Sequence, residues 1–112
     1  MKKIEAIIRP EKIDAVRVGL EKVGYAGIMI TEIQGHGKQK GIVQQWRGEK
    51  YKVDLLPKIK IEIIAKDTDV KKIVNTVIDN ARTGEVGDGK IFVSNIENTI
   101  RIRTGEEGDI AI

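Results

Sequence analysis

The sequence predicts an α+β sandwich in the order β-α-β-β-α-β, and three observations carry that expectation. The segment KIKIEI, Lys58 to Ile63, alternates apolar and charged residues with the two-residue period of a half-exposed strand. Val70, Ile73, Val74, Val77, Ile78 and Ala81 recur at the spacing that lines one face of a helix. Lys3-Ile4-Glu5 returns as Lys60-Ile61-Glu62, and at the same offset Ile13, Val16 and Leu20 fall on Val70, Ile73 and Val77. Two such halves make a ferredoxin-like βαββαβ fold, an antiparallel sheet with both helices on one face.

Taken in chain order, Lys2 to Arg9 reads as the first strand. Pro10 opens the first helix, because its fixed φ suits a first turn and its missing N–H needs no partner, and Gly24 stops that helix. Gly27 to Gln34 reads as the second strand. The next stretch, GHGKQKGIVQQWRGEKYKVDLLPK from Gly35 to Lys58, reads as neither helix nor strand. A compact domain rarely carries a structureless connection longer than about 12 to 15 residues unless it is functional, so this loop is the first functional clue. Beyond the third strand, Thr68 or Asp69 is placed to cap the second helix. Lys90 to Ile96 reads as the fourth strand, and TIRIR, Thr99 to Arg103, as a short final one before a Gly105 to Gly108 turn and an apolar tail. Residues 1–112 form a single domain in this reading, with a projecting loop at about 37–54, a glycine-rich loop at about 82–90 and a C-terminal loop at about 101–112. One face of the sheet is left open, and association with copies of the same chain would cover it.

Composition narrows the chemistry. With 40% apolar and 33% charged residues the chain is globular rather than disordered, and its net charge of +3 is spread along the elements. A nucleic-acid binder would cluster basic residues and supply stacking rings, whereas the aromatics here are Tyr25, Trp46, Tyr51 and Phe92 alone. The absence of cysteine excludes disulfides and thiolate metal sites and suits a reducing cytoplasm. His36, the single histidine, reads as a surface or packing residue rather than a metal ligand. Glu5 and Arg9 interrupt the apolar residues after Lys2 and Lys3, so no signal-peptide core is expected.

Two segments carry candidate binding chemistry. TGEVGDGK, Thr83 to Lys90, contains the G-x-x-x-x-G-K spacing of a phosphate-cradling loop, but Ile91 stands where a magnesium-binding Ser or Thr would be required. Its context is also inverted, because a true P-loop leaves a strand and opens a helix. What survives is the ability of Gly84, Gly87 and Gly89 to converge backbone N–H groups on an anion beside Lys90. Arg101 and Arg103, two apart on the final strand, would point the same way and offer guanidinium forks to phosphate oxygens. No Ser-His or Cys-His arrangement occurs, and Glu5, Glu32 and Glu62 look like ordinary strand-face carboxylates. A glycine nest with an arginine pair thus favours a polyphosphate ligand over catalysis.

GHGKQKG, RGEKYKVDLLPKIKIEI, TGEVGDGKIFV and RIRTGEEGD, in this order and spacing over the whole chain, resemble the PII nitrogen-regulatory signal proteins, most closely the GlnK-like members. The resemblance implies a homotrimer of ferredoxin-like subunits with ATP or ADP in the clefts between neighbours. It also implies that 2-oxoglutarate binds together with Mg2+ and ATP, and that the protein is no enzyme. In this family the projecting loop docks on partners such as an ammonium transporter, or on nitrogen-assimilation enzymes, from a cytoplasmic protein that becomes reversibly membrane-associated through its partner.

Carried onto this chain, Gly35, Gly37 and Lys38 open the projecting loop beside the nucleotide, with Met29, Glu62 and Ile64 near the base. Gly87, Asp88, Gly89 and Lys90 cradle the phosphates, and Arg101 and Arg103 reach them from a neighbouring subunit. Gln39 is the position that contacts magnesium and 2-oxoglutarate as well as the nucleotide, while Lys58 and Gly87 hold the 2-oxoglutarate. Trp46, Arg47 and Tyr51 on the loop are the partner contacts. Lys38 stands where many relatives carry Arg, and Met29 where a Thr is common. Tyr51 matches a tyrosine that some relatives modify with a nucleotidyl group, but Trp46, Glu49 and Lys50 replace the usual flanks, which favours a contact role. The competing reading is a nucleic-acid-binding ferredoxin-like module. It would need aromatics on exposed strands, and only Phe92 lies well inside one.

Overall fold

The computed structural model describes residues 1–36, 42–46, 49–53 and 55–112, with side chains for 1–36 and 55–112. Its strands are β1 (Lys2–Ile8), β2 (Met29–Gly35), β3 (Ile42–Trp46), β4 (Glu49–Val53), β5 (Leu56–Ala65) and β6 (Lys90–Asn95), and its helices are α1 (Ile13–Lys22) and α2 (Val70–Ala81). Four strands form one sheet in the order β2-β5-β1-β6 with every neighbour antiparallel, which is the ferredoxin-like topology.

The alternation of β5 decides which face is buried. Ile61 lies opposite Ala6 of β1 and Ile63 opposite Ile4, so the period of two sends Ile4, Ala6, Ile8, Ile59, Ile61, Ile63 and Ala65 to one side. Both helices cover that side, burying Val16 and Leu20 from α1 and Ile73, Val77 and Ala81 from α2. Each large aliphatic side chain withdrawn from water contributes about 1.5 to 3 kcal/mol, and truncating one such as Ile61 to Ala would cost about 2 to 5 kcal/mol through the void left behind. The helices approach closely at Gly19, where a β-carbon would lie 2.6 Å from Asn80 Nδ2. On the opposite face Lys3 Nζ pairs with Glu5 at 2.7 Å and with Glu62 at 3.4 Å, and Lys60 pairs with Glu62 at 3.4 Å.

Several local expectations are revised. Pro10 opens a short 3-10 turn, Pro10–Lys12, before α1 begins at Ile13. A second 3-10 turn, Asp67–Asp69, precedes α2, and neither Thr68 nor Asp69 makes a side-chain cap. The Asp69 carboxylate is occupied elsewhere: it accepts the Tyr25 hydroxyl and lies 3.8 Å from Lys72 Nζ. The strand β2 starts at Met29 rather than Gly27, and β5 starts at Leu56, before the alternating run.

The segment between β2 and β5 is not structureless, because β3 and β4 pair antiparallel with Ile42 opposite Val53 and Trp46 opposite Glu49. Its β-branched and aromatic residues Ile42, Val43, Trp46, Tyr51 and Val53 suit strands, a signal that the surrounding glycines and lysines hide. Gly37, Lys38, Gln39 and Arg47 lie outside the described residues, as do the side chains of Trp46 and Tyr51.

The expected final strand is also absent. Residues around it make one isolated bridge, Ile100 with Glu107, and a turn in which the Gly105 N–H donates to the Arg101 carbonyl at 2.7 Å. Gly105 adopts φ 73°, reversing the chain before a ladder can extend. Arg101 and Arg103 therefore do not share a strand face. Arg101 binds Glu106 at 2.8 Å and the Ile110 carbonyl at 2.8 Å, while Arg103 is exposed in the turn.

Candidate functional site

The loop from Thr83 to Gly89 joins the end of α2 to the start of β6. Gly84, Gly87 and Gly89 hold φ of 90°, 104° and 102°, values that side-chain-bearing residues rarely adopt. At Gly89 sterics add a second demand, since a β-carbon there would sit 1.7 Å from the Ile7 carbonyl oxygen of β1. Only glycine lets the loop lie down on the strand at this point.

Asp88 closes the turn. Its carboxylate accepts the Thr83 hydroxyl, the Thr83 N–H at 2.9 Å and the Gly84 N–H at 2.9 Å. Arg9, the residue after β1, donates its Nε–H to the same carboxylate at 3.1 Å and a terminal N–H to the Val86 carbonyl at 2.9 Å. The Thr83 hydroxyl and N–H hold the Asp88 carboxyl well below the usual carboxylate range, helped by the Gly84 N–H and Arg9. Lys58 Nζ, from β5, donates to the Gly87 carbonyl at 2.8 Å. Burial pulls the Lys58 ammonium below its ordinary pKa, and the nearby Arg9 charge acts in the same sense.

These contacts line up segments that are far apart in sequence. Gly35 at the end of β2 and His36 after it, Leu56 and Lys58 of β5, and the stretch Glu85 to Lys90 border a cleft of about 550 Å3, a size suited to a small-molecule ligand. Neither the Gly87 nor the Asp88 N–H has a hydrogen-bond partner among the described residues. Lys90 and Lys58 bring positive charge to the same cleft. Among the described residues no three of His, Cys, Asp and Glu are grouped so as to hold a metal ion, and His36 is an exposed residue at the cleft's edge.

The match of residues 1–106 to the family model described as nitrogen regulatory protein P-II decides the family. The chain belongs to the P-II family. Nitrogen regulatory protein P-II 1 of Escherichia coli K12 is 54% identical over 112 residues, covering the whole of both chains. Nitrogen regulatory protein P-II 2 of Methanothermobacter thermautotrophicus is 51% identical over the whole of this chain and 97% of its own length. A P-II protein of Klebsiella oxytoca is 54% identical over 112 residues, again the whole of both chains.

Within this P-II chain the residues singled out from the sequence divide into two groups. Gly35, Lys58, Gly87, Asp88, Gly89 and Lys90 meet at the cleft. Met29, Glu62 and Ile64 lie farther along the open face: Glu62 pairs with Met29 in register and stands four residues, roughly 13 Å at about 3.3 Å per residue, beyond Lys58. Arg101 and Arg103 follow β6, whose far end is pinned to the start of β1 by Asn95 opposite Lys2 and by the Ile96 N–H on the Met1 carbonyl at 3.1 Å. They emerge at the opposite end of the sheet from Gly87. Gly37, Lys38 and Gln39 are outside the described residues. Reasoning from sequence missed Arg9, whose role depends on the pairing of β1 with β6 and on a contact to a loop nearly eighty positions away; the Arg-Pro junction gives no local sign of it.

Proposed function

We propose that the chain is a nitrogen-regulatory signal protein that binds ATP or ADP and 2-oxoglutarate, performs no turnover, and controls partners by docking its projecting loop. The glycine loop carries this reading: the positive-φ glycines Gly87 and Gly89, two N–H groups without a partner among the described residues, and the Lys58 and Lys90 charges border one cleft. Gly35, Gly87, Gly89 and Lys90 of that cleft would hold the phosphates, and Lys58 the dicarboxylate. Magnesium would arrive with ATP, on the phosphates and Gln39, and it would neutralise phosphate charge there.

Met29, Glu62, Ile64, Arg101 and Arg103 would complete the nucleotide site across a boundary between protomers, because in one protomer they lie away from the glycine loop. That division supports a homotrimer in which each cleft is shared. The chain has no helix among its described residues long and apolar enough to cross a membrane, so contact with an ammonium transporter would run through the loop carrying Trp46, Arg47 and Tyr51. Calorimetry of ATP binding, with and without Mg2+ and 2-oxoglutarate, tests the reading. Saturable ATP binding that 2-oxoglutarate tightens is expected; no heat of binding for ATP or ADP would refute it.

A further inference from the structure

Arg9 belongs to none of the segments that meet the cleft through glycine or lysine, yet its guanidinium spans the loop. One nitrogen holds the Asp88 carboxylate at 3.1 Å and another the Val86 carbonyl at 2.9 Å, on either side of Gly87. The side chain is only 14% exposed, so the fork is held in place by its surroundings as well as by its hydrogen bonds. A trans peptide is planar, with its C=O and N–H directed oppositely. Fixing the Val86 carbonyl toward Arg9 therefore turns the Gly87 N–H to the other side. Lys58, by holding the Gly87 carbonyl at 2.8 Å, does the same for the Asp88 N–H.

The Asp88 carboxylate completes the brace. Its oxygens are taken by Thr83, Gly84 and Arg9, all within the loop or its anchor, so its side chain serves the loop's shape. We infer that Arg9 is a positioning residue for anion binding: acting through Asp88 and the Val86 carbonyl, it presents the Gly87 N–H to a phosphate that the guanidinium itself does not touch. The inference rests on the nucleotide reading above and assigns that site a structural partner just beyond the end of β1.

A double-mutant cycle separates this role from direct contact. ADP affinity is measured for the wild type, Arg9→Ala, Asp88→Asn and the double variant, together with amide hydrogen exchange at Thr83 and Gly84 and thermal midpoints. Loss of a charge-assisted brace should weaken ADP binding about tenfold in Arg9→Ala. In the Asp88→Asn background the same change should cost under about threefold, because the two act as one unit. Exchange at Gly84 should quicken in Arg9→Ala, and Arg9→Lys, which keeps the charge and can reach one acceptor, should recover part of the affinity. An equal loss in both backgrounds would mean that Arg9 does not act through Asp88 and would overturn the inference. So would unchanged ADP affinity or unchanged Gly84 exchange in Arg9→Ala. Failure of the wild type to bind ADP would instead sink the nucleotide reading, and the inference with it.

Discussion

Replacing Gly89 by alanine should be among the most damaging small substitutions outside the core. The added β-carbon would sit 1.7 Å from the Ile7 carbonyl oxygen and 2.8 Å from its carbon, against an optimal non-bonded separation of about 3.5 Å. Relief would require a backbone shift of about 2 Å in either β1 or the loop, since both partners are main chain and no rotamer change can help. Gly84 supplies the control. It has a similar φ, 90° against 102°, but nothing lies within 4 Å of the place a β-carbon would take, so Gly84→Ala carries only the conformational cost of about 1 to 2 kcal/mol. Gly89→Ala carries that cost plus an overpacking cost of about 1 to 3 kcal/mol. With a urea slope near about 2 kcal/mol/M, the midpoint should fall by about 0.5 to 1 M for Gly84→Ala and about 1 to 2.5 M for Gly89→Ala. Both are measured at one protomer concentration, because association shifts apparent stability. Equal midpoints for the two variants would refute the argument that the loop is seated on Ile7.

The Asp88 carboxyl titrates lower in the folded chain than its unfolded value of about 4, so its stabilisation is present above that pH and is lost on acidification below it. Asp88→Asn should thus unfold more easily at about pH 6, and its deficit should narrow as the pH falls toward about 3 in denaturation curves. Burial, with the hydrogen bond to Asp69, pushes the Tyr25 hydroxyl up to about 12, so the stability it supports is intact below about pH 10 and fades as pH rises toward 12. Tyr25→Phe should cost about 1 kcal/mol at neutral pH, and its gap to the wild type should close between those limits. Lys58→Met should abolish the calorimetric effect of 2-oxoglutarate while weakening ATP binding only in part, through the lost hold on the Gly87 carbonyl; a retained 2-oxoglutarate effect would mean that the dicarboxylate site is misplaced.

The sheet and its core were legible because their signals are periodic. Strict alternation in Lys58 to Ile63 and helical spacing from Val70 to Ala81 placed Ile61, Ile73 and Val77 inside, where they are buried. Elements whose register comes from neighbours were not legible. The β3–β4 pairing depends on partners across a turn, and the expected strand at Arg101 to Arg103 is overruled by a left-handed Gly105. At the cleft, the turns at Gly84, Gly87 and Gly89 and the placing of Lys90 beside them could be read from glycine spacing and an adjacent cation. The work of Arg9 and Asp88 could not, because it arises only when β1 and β6 lie side by side. Similarly, Asp69 looked like a helix cap until Tyr25, brought close by folding, took its carboxylate.

Amide-resolved NMR of the 15N-labelled protein during titration with ATP reports directly on whether the glycine loop is a phosphate site. The largest shift changes are expected at Gly87, Asp88 and Gly89, with smaller ones at Gly35 and Lys58, saturating together. Saturable binding whose shifts gather elsewhere and leave Gly87 to Gly89 unmoved would contradict the phosphate assignment.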